Sequence, residues 1–293
     1  MKRANKNHIK ISTGERIFRV ANYTFLTLLA FVCLYPMWHV LMASFSSSSD
    51  LMAHQGLLLK PLNFTLECYE RVFKNKYIWS GYLNTLKWLA LGVPFSMFMT
   101  ILAAYFFSRR GVLFRRPLMI LVVFTMFFSG GMIPFYLNLK ELHLTGTIWG
   151  LVIPFSLSTY NMIILRTAFE SIPESLLEAA RIDGANHIQV LVKILLPLTK
   201  ATLAVLVLYY GVMIWNSWFW AANILKQRES MPLAVLLRDI LINSQMQTMD
   251  SGMPTAEGIK YALIVVATVP ILMIYPFIQK YFTKGVMIGA VKE

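Results

Sequence analysis

Long apolar runs separated by short polar segments set the pattern of this chain, with runs at about 17–45, 81–108, 117–137, 148–168, 201–222 and 259–282. Each is near the ~20 residues that a helix needs to cross hydrocarbon, and a helix satisfies its backbone polar groups internally when it does so. The pattern therefore predicts an all-α integral membrane protein with six transmembrane helices, a transmembrane domain over 17–282. The first run is too long for a signal-peptide core and has no small-residue cleavage site behind it, so it reads as a retained span following a short segment, 1–16. The connections 46–80 and 223–258 carry helix-like pieces of their own, LNFTLECYERVF and MPLAVLLRDIL, and 283–293 forms a tail.

Composition agrees with the pattern. Of 293 residues, 57% are hydrophobic and only 14% charged, and a mean hydropathy of +0.59 is too apolar for a soluble domain of this length. The net charge of +13 could suggest nucleic acid, but the basic residues form no patch interleaved with stacking aromatics, which excludes that partner. They follow the positive-inside rule instead. Lys2, Arg3, Lys6 and Lys10 precede the first run, Arg109, Arg110, Arg115 and Arg116 fall between the second and third, and Arg181, Lys193 and Lys200 between the fourth and fifth. The alternate segments are poorer in Lys and Arg, so both termini and 170–197 are expected in the cytoplasm, and 46–80 and 223–258 outside. Cys33 lies inside the first run and Cys68 outside it, which argues against a disulfide and leaves no metal-ligand spacing.

One polar, helix-prone island interrupts the apolar pattern, Glu178 to Pro197, EAARIDGANHIQVLVKILLP. It reads as helix, break, helix: Glu178, Ala179, Ala180 and Arg181 are good helix formers, Asp183-Gly184 supplies a turn, and Ala185 opens a second helix ending at Pro197. Two short helices joined at a glycine make a knob that could plug into a cleft on a soluble partner, with Glu178 and Asp183 offered to basic groups. The other reading is an amphipathic helix lying on the membrane surface.

The spelling of the island is specific. Glu178-Ala179-Ala180, three residues, Gly184, nine residues, then Ile194-x-Leu196-Pro197 resembles the cytoplasmic loop of permease subunits in bacterial binding-protein-dependent ABC importers. Ala103-Ala104-Tyr105 before Arg109-Arg110, Asn84-Thr85 and Trp215-Asn216 extend the resemblance over nearly the whole chain, toward the maltose-permease-like carbohydrate group and its oligosaccharide branch. The specific expectation within that branch is the second permease of the alginate importer. The resemblance implies a type I importer permease fold with coupling helices. It also implies a second homologous permease, two ATPase subunits that bind ATP and Mg, an external substrate-binding protein, and alternating access for an oligosaccharide across the inner or plasma membrane. It assigns ATPase coupling to Glu178, Ala179, Ala180, Asp183, Gly184 and Ala185, and ATPase contact to the tail at Lys284, Gly285 and Gly289. A frayed end in water is the other reading of the tail.

Catalytic chemistry is absent from the spelling. No G-x-x-x-x-G-K-[S/T] string occurs and no enzyme constellation is visible, so this chain reads as a transport subunit without a cofactor, and ATP hydrolysis falls to another chain. Polar side chains inside the runs are the path candidates: Asn84, Thr85, Lys87, Tyr160, Asn161, Tyr209, Tyr210, Asn216 and Trp218. The same residues serve equally as helix ties or as an interfacial aromatic belt. An amino-acid or peptide importer permease would share the Glu178 spelling. An ion-coupled secondary transporter is less compatible, because the apolar runs contain no Asp or Glu. A scaffold or sensor subunit without transport is separable only by uptake.

Overall fold

The structure, a computed structural model, describes residues 12–109, 111–251, 258–273 and 276. Segment 1–11, residues 252–257, and the tail with Lys284, Gly285 and Gly289 lie outside the described residues. The described residues are helical, with no strand among them, and fall into two compact units.

The first unit lies within Met1–Arg71 and Ser244–Val265. Its α1 (Thr13–Ser44) is one 32-residue helix that runs through Pro36, and none of its most apolar window is buried. Beyond it come α2 (Ser48–Ala53) and the start of α3 (Glu67–Lys74). The chain between them clasps the end of α1. Phe45 stacks on Phe64 at 5.5 Å, Ser47 N–H donates to the Leu62 carbonyl at 2.9 Å, and the Ser44 and Tyr69 hydroxyls meet at 2.8 Å.

The second unit lies within Val72–Asn243 and Val266–Glu293 and is built on α4 (Lys76–Ser108), 33 residues long and capped by the Asn75 side chain accepting from Tyr77 N–H. Around it lie α5 (Arg115–Phe127), α6 (Met132–Glu141), α7 (Trp149–Val152) and α8 (Thr159–Glu170). Then come α9 (Glu174–Ile182), α10 (His187–Leu198), α11 (Lys200–Asn216) and α12 (Phe219–Ile224). The last two helices, α13 (Leu233–Ser251) and α14 (Gly258–Met273), are divided between the units, 244–251 and 258–265 belonging to the first. One core, including Met97, Phe107, Leu165, Phe169, Leu195 and Tyr210, joins α4, α8 and α11 and continues into α9 through Leu177. A second, around Trp88, Leu151, Ile214 and Ile224, joins α4 to α7, α11 and α12.

Six unbroken spans are not what the described residues contain. By themselves only α1 and α4 are long and apolar enough to cross a membrane, and two more crossings arise if each of two bent pairs is one span. The expected span at 117–137 is cut into α5 and α6, which meet at 115°. Phe128 turns extended there and Gly131 takes φ +92°, a conformation that lets the chain double back. The span expected at 148–168 holds only the short α7 before Pro154 and resumes at α8, because the missing proline N–H ends the helical ladder. At 201–222 helix α11 stops at Asn216, Ser217 is extended, and α12 restarts. Helices α10 and α11 meet at 84°, just after Pro197. Apolar residues report depth in a low-dielectric medium; glycines and prolines decide continuity.

Candidate functional site

The Glu178 island folds as two helices closed by a local hydrogen-bonded turn. Gly184 has φ +82°, its N–H donates to the Arg181 carbonyl at 3.0 Å, and Ala185 N–H reaches back to the Ala180 carbonyl at 2.9 Å. This is a Schellman closure, which satisfies carbonyls left open at the end of α9 and places glycine where an L side chain is disfavoured. Helix α10 begins two residues later on a capping box. The Asn186 side chain accepts from Gln189 N–H at 2.8 Å, and the Gln189 side chain accepts from Asn186 N–H at 2.9 Å. Its next stretch, Val190–Leu195, is π-helical.

One side of this loop is rooted and the other is bare. Leu177, Val190, Leu191 and Leu195 are buried in the α4/α8/α11 core, with Ala180 and Ala185 packed against it. Glu178, Ala179, Asp183 and Gly184 are exposed, and so are two large apolar side chains, Ile182 at 86% and Ile188 at 72%. A rigid knob with an apolar tip and flanking carboxylates results.

Beneath it sits the C-terminal end of α4, which the sequence had signalled only through a short spelling and a charge bias. The Tyr105 hydroxyl lies 3.0 Å from His187 Nδ1 in α10. Arg109 is 6% exposed, stacks on the Tyr105 ring at 5.2 Å, and donates through Nε to the Ser108 hydroxyl at 3.2 Å. Its Nη1 has no hydrogen-bond partner among the described residues. Burial pulls the Arg109 guanidinium below its ordinary pKa, while Tyr105 and the carboxylates of Glu174 and Glu170 oppose that shift. An arginine in this setting remains a cation at neutral pH. Glu170 at the end of α8 pairs with Arg166 at 3.0 Å and with Arg115 of α5.

The path candidates are scattered. Asn84 donates to the carbonyls of Glu229 (2.6 Å) and Met231 (3.2 Å). Thr85, 1% exposed, donates to Gly81 and accepts from Leu233 N–H at 2.9 Å, so this pair ties α4 to the start of α13. Lys87 is exposed and Asn161 buried. Tyr160 and Tyr209 approach each other at 6.5 Å between ring centres. Asn216 donates to the Val212 carbonyl of its own helix, and Trp218 carries the Arg238 guanidinium over its ring at 3.8 Å. Tyr210 is fully buried, its hydroxyl 2.6 Å from that of Thr100 and accepting from Ser158 N–H at 3.1 Å. Tyr210→Phe strips the half-buried Ser158 N–H and the buried Thr100 hydroxyl of their partner, so a loss of about 1–2 kcal/mol is expected, read as a lowered unfolding midpoint in detergent.

The fold so described, apolar helices with a polar helix-turn-helix anchored in their core, is that of a helical membrane protein. The chain belongs to the family described as binding-protein-dependent transport system inner membrane component, whose model matches residues 78–288. It is 42% identical over 284 residues to the polygalacturonan/rhamnogalacturonan transport system permease protein YtcP of Bacillus subtilis (strain 168), covering 95% of this chain and 99% of that protein. Protein LplC of the same organism is 38% identical over 282 residues, covering 94% of this chain and 95% of LplC. Among solved structures, a chain of a bacterial ABC transporter involved in the import of the acidic polysaccharide alginate superposes with a TM-score of 0.85. It is 34% identical, and the match covers 92% of this chain and 98% of that one.

Proposed function

We propose that this chain is a transmembrane permease subunit of an ATP-driven importer that carries oligosaccharides of acidic polysaccharides from an external binding protein into the cytoplasm. The observation that carries the reading is the exposed, glycine-closed loop at Glu178–Ala185, rooted in the core that α4, α8 and α11 share. Its relatives support the substrate class, since one is named for polygalacturonan and rhamnogalacturonan transport and a structural neighbour for alginate import. In this reading the chain crosses the inner membrane six times with both termini inside, the third to fifth crossings using broken helices. A second homologous permease and two ATPase subunits complete the machine, and ATP with Mg binds only to the latter. The carboxylates of Glu178 and Asp183 face basic groups of the ATPase, while Ile182 and Ile188 fill its cleft. The tail at Lys284, Gly285 and Gly289 reaches the same subunits, and rigid-body rocking gives alternating access.

Co-expression with the partner subunits and reconstitution into proteoliposomes tests this. Loaded binding protein is expected to stimulate ATP hydrolysis with oligogalacturonates or alginate oligosaccharides and not with peptides or amino acids. Stimulation by a peptide or an amino acid instead would overturn the substrate class.

A further inference from the structure

We propose that a cavity between α4, α7, α11 and α12 is a subsite for one uncharged face of a sugar ring, with the Trp88 indole N–H as its hydrogen-bond donor. This inference rests on the permease reading and deepens it.

The cavity measures about 240 Å³ and lies wholly within the second unit. At about 30 Å³ per water it holds far more than the one molecule that would satisfy a stranded donor. It is also smaller than the roughly 300–1,000 Å³ of sites for drug-sized ligands, so a single ring fits it and an extended chain does not. Its walls suit such a ring. Trp88, Phe155 and Trp220 supply aromatic surface, and Trp220 is held by Phe135 at 4.7 Å and Phe155 at 5.8 Å between ring centres. The C–H face of a pyranose packs on aromatic rings while its rim of hydroxyls needs donors and acceptors.

Those groups are present. Trp88 is 3% exposed, and its Nε1 has no hydrogen-bond partner among the described residues, although buried indole N–H groups normally find one. Ser96 and Ser217 are the hydroxyl-bearing residues among those that line it. Gly92 lets α4 and α11 close on each other beside the indole, since a β-carbon there would lie 2.8 Å from Ile214 Cδ1 and 3.5 Å from Trp88 Nε1. No charged side chain is among the lining residues, so the site would take the neutral face of a uronic acid ring and leave its carboxylate outside.

Uptake of di- and trigalacturonate by the full complex in proteoliposomes tests the assignment, with three variants beside the parent. Trp88→Phe removes the donor and keeps the aromatic face, and its KM is expected to rise about three- to tenfold, the worth of one neutral hydrogen bond. Ser217→Leu fills the cavity from the opposite wall and is expected to raise KM as much or more. Trp79→Phe removes an indole N–H that is already bonded to the Phe73 carbonyl on an exposed site and is expected to leave KM unchanged. An unaltered KM in both cavity variants, whether or not their thermal midpoint falls, overturns the subsite and leaves water or an acyl chain as the occupant. A parent complex that imports no saccharide at all overturns the permease reading itself, a separate outcome.

Discussion

A Gly184→Pro variant is expected to assemble with its partners and yet to lose at least tenfold of the ATP hydrolysis that loaded binding protein stimulates. Proline holds φ near −65°, and Gly184 sits at +82°, so the substitution cannot be accommodated in the native turn. It also deletes the N–H that bonds the Arg181 carbonyl and disturbs the Ala185-to-Ala180 closure beside it. The helices on either side stay tethered by Leu177 below α9 and by Leu191 and Leu195 below α10, so the fault is confined to the angle between them. Size-exclusion chromatography of the co-purified complex would report assembly, and an ATPase assay with and without binding protein would report coupling. Stimulation as strong as the parent's would mean that the loop is only a surface helix.

Gly150→Val is expected to be worse for the fold than any change on the loop, costing more than about 3 kcal/mol and leaving little monodisperse protein in detergent. A β-carbon at Gly150 would collide with the Leu144 carbonyl oxygen and lie 2.9 Å from Ile224 Cγ2. Neither obstacle gives way easily. The Leu144 carbonyl already accepts from the Thr147 hydroxyl at 2.8 Å, and Gly146 N–H donates to the Ile224 carbonyl at 2.8 Å, pinning the same turn against α12. Yield and the elution profile of the variant measure the effect, and the parent's profile from Gly150→Val would refute the packing argument.

The loop was legible because its determinants are local. Good helix formers and the Asp183-Gly184 turn act within a few residues, so the spelling predicts helix, break, helix and the structure has it, with the second helix opening at His187 behind the Asn186 cap and not at Ala185. The breaks within the apolar runs were not read, although Gly130-Gly131 and Pro154 announced them, because hydropathy averages over the residues that interrupt a helix. What remained out of reach is long-range pairing. Asn84 donates to, and Thr85 accepts from, backbone about 145 residues away, between Glu229 and Leu233, and Tyr210 spends its hydroxyl on Thr100 and Ser158. A polar residue in an apolar run says only that a partner exists. The Trp88 cavity shares that difficulty, since its walls come from four helices.

The bare length of α1 carries one more consequence. Phe25, Phe31 and Val32 stand 64%, 68% and 69% exposed, and no residue of the most apolar window is buried among the described residues. Apolar side chains so exposed along a helix are of the kind that acyl chains or a neighbouring helix cover in a bilayer. A substitution there is expected to change how firmly the chain is held by its surroundings more than how it folds.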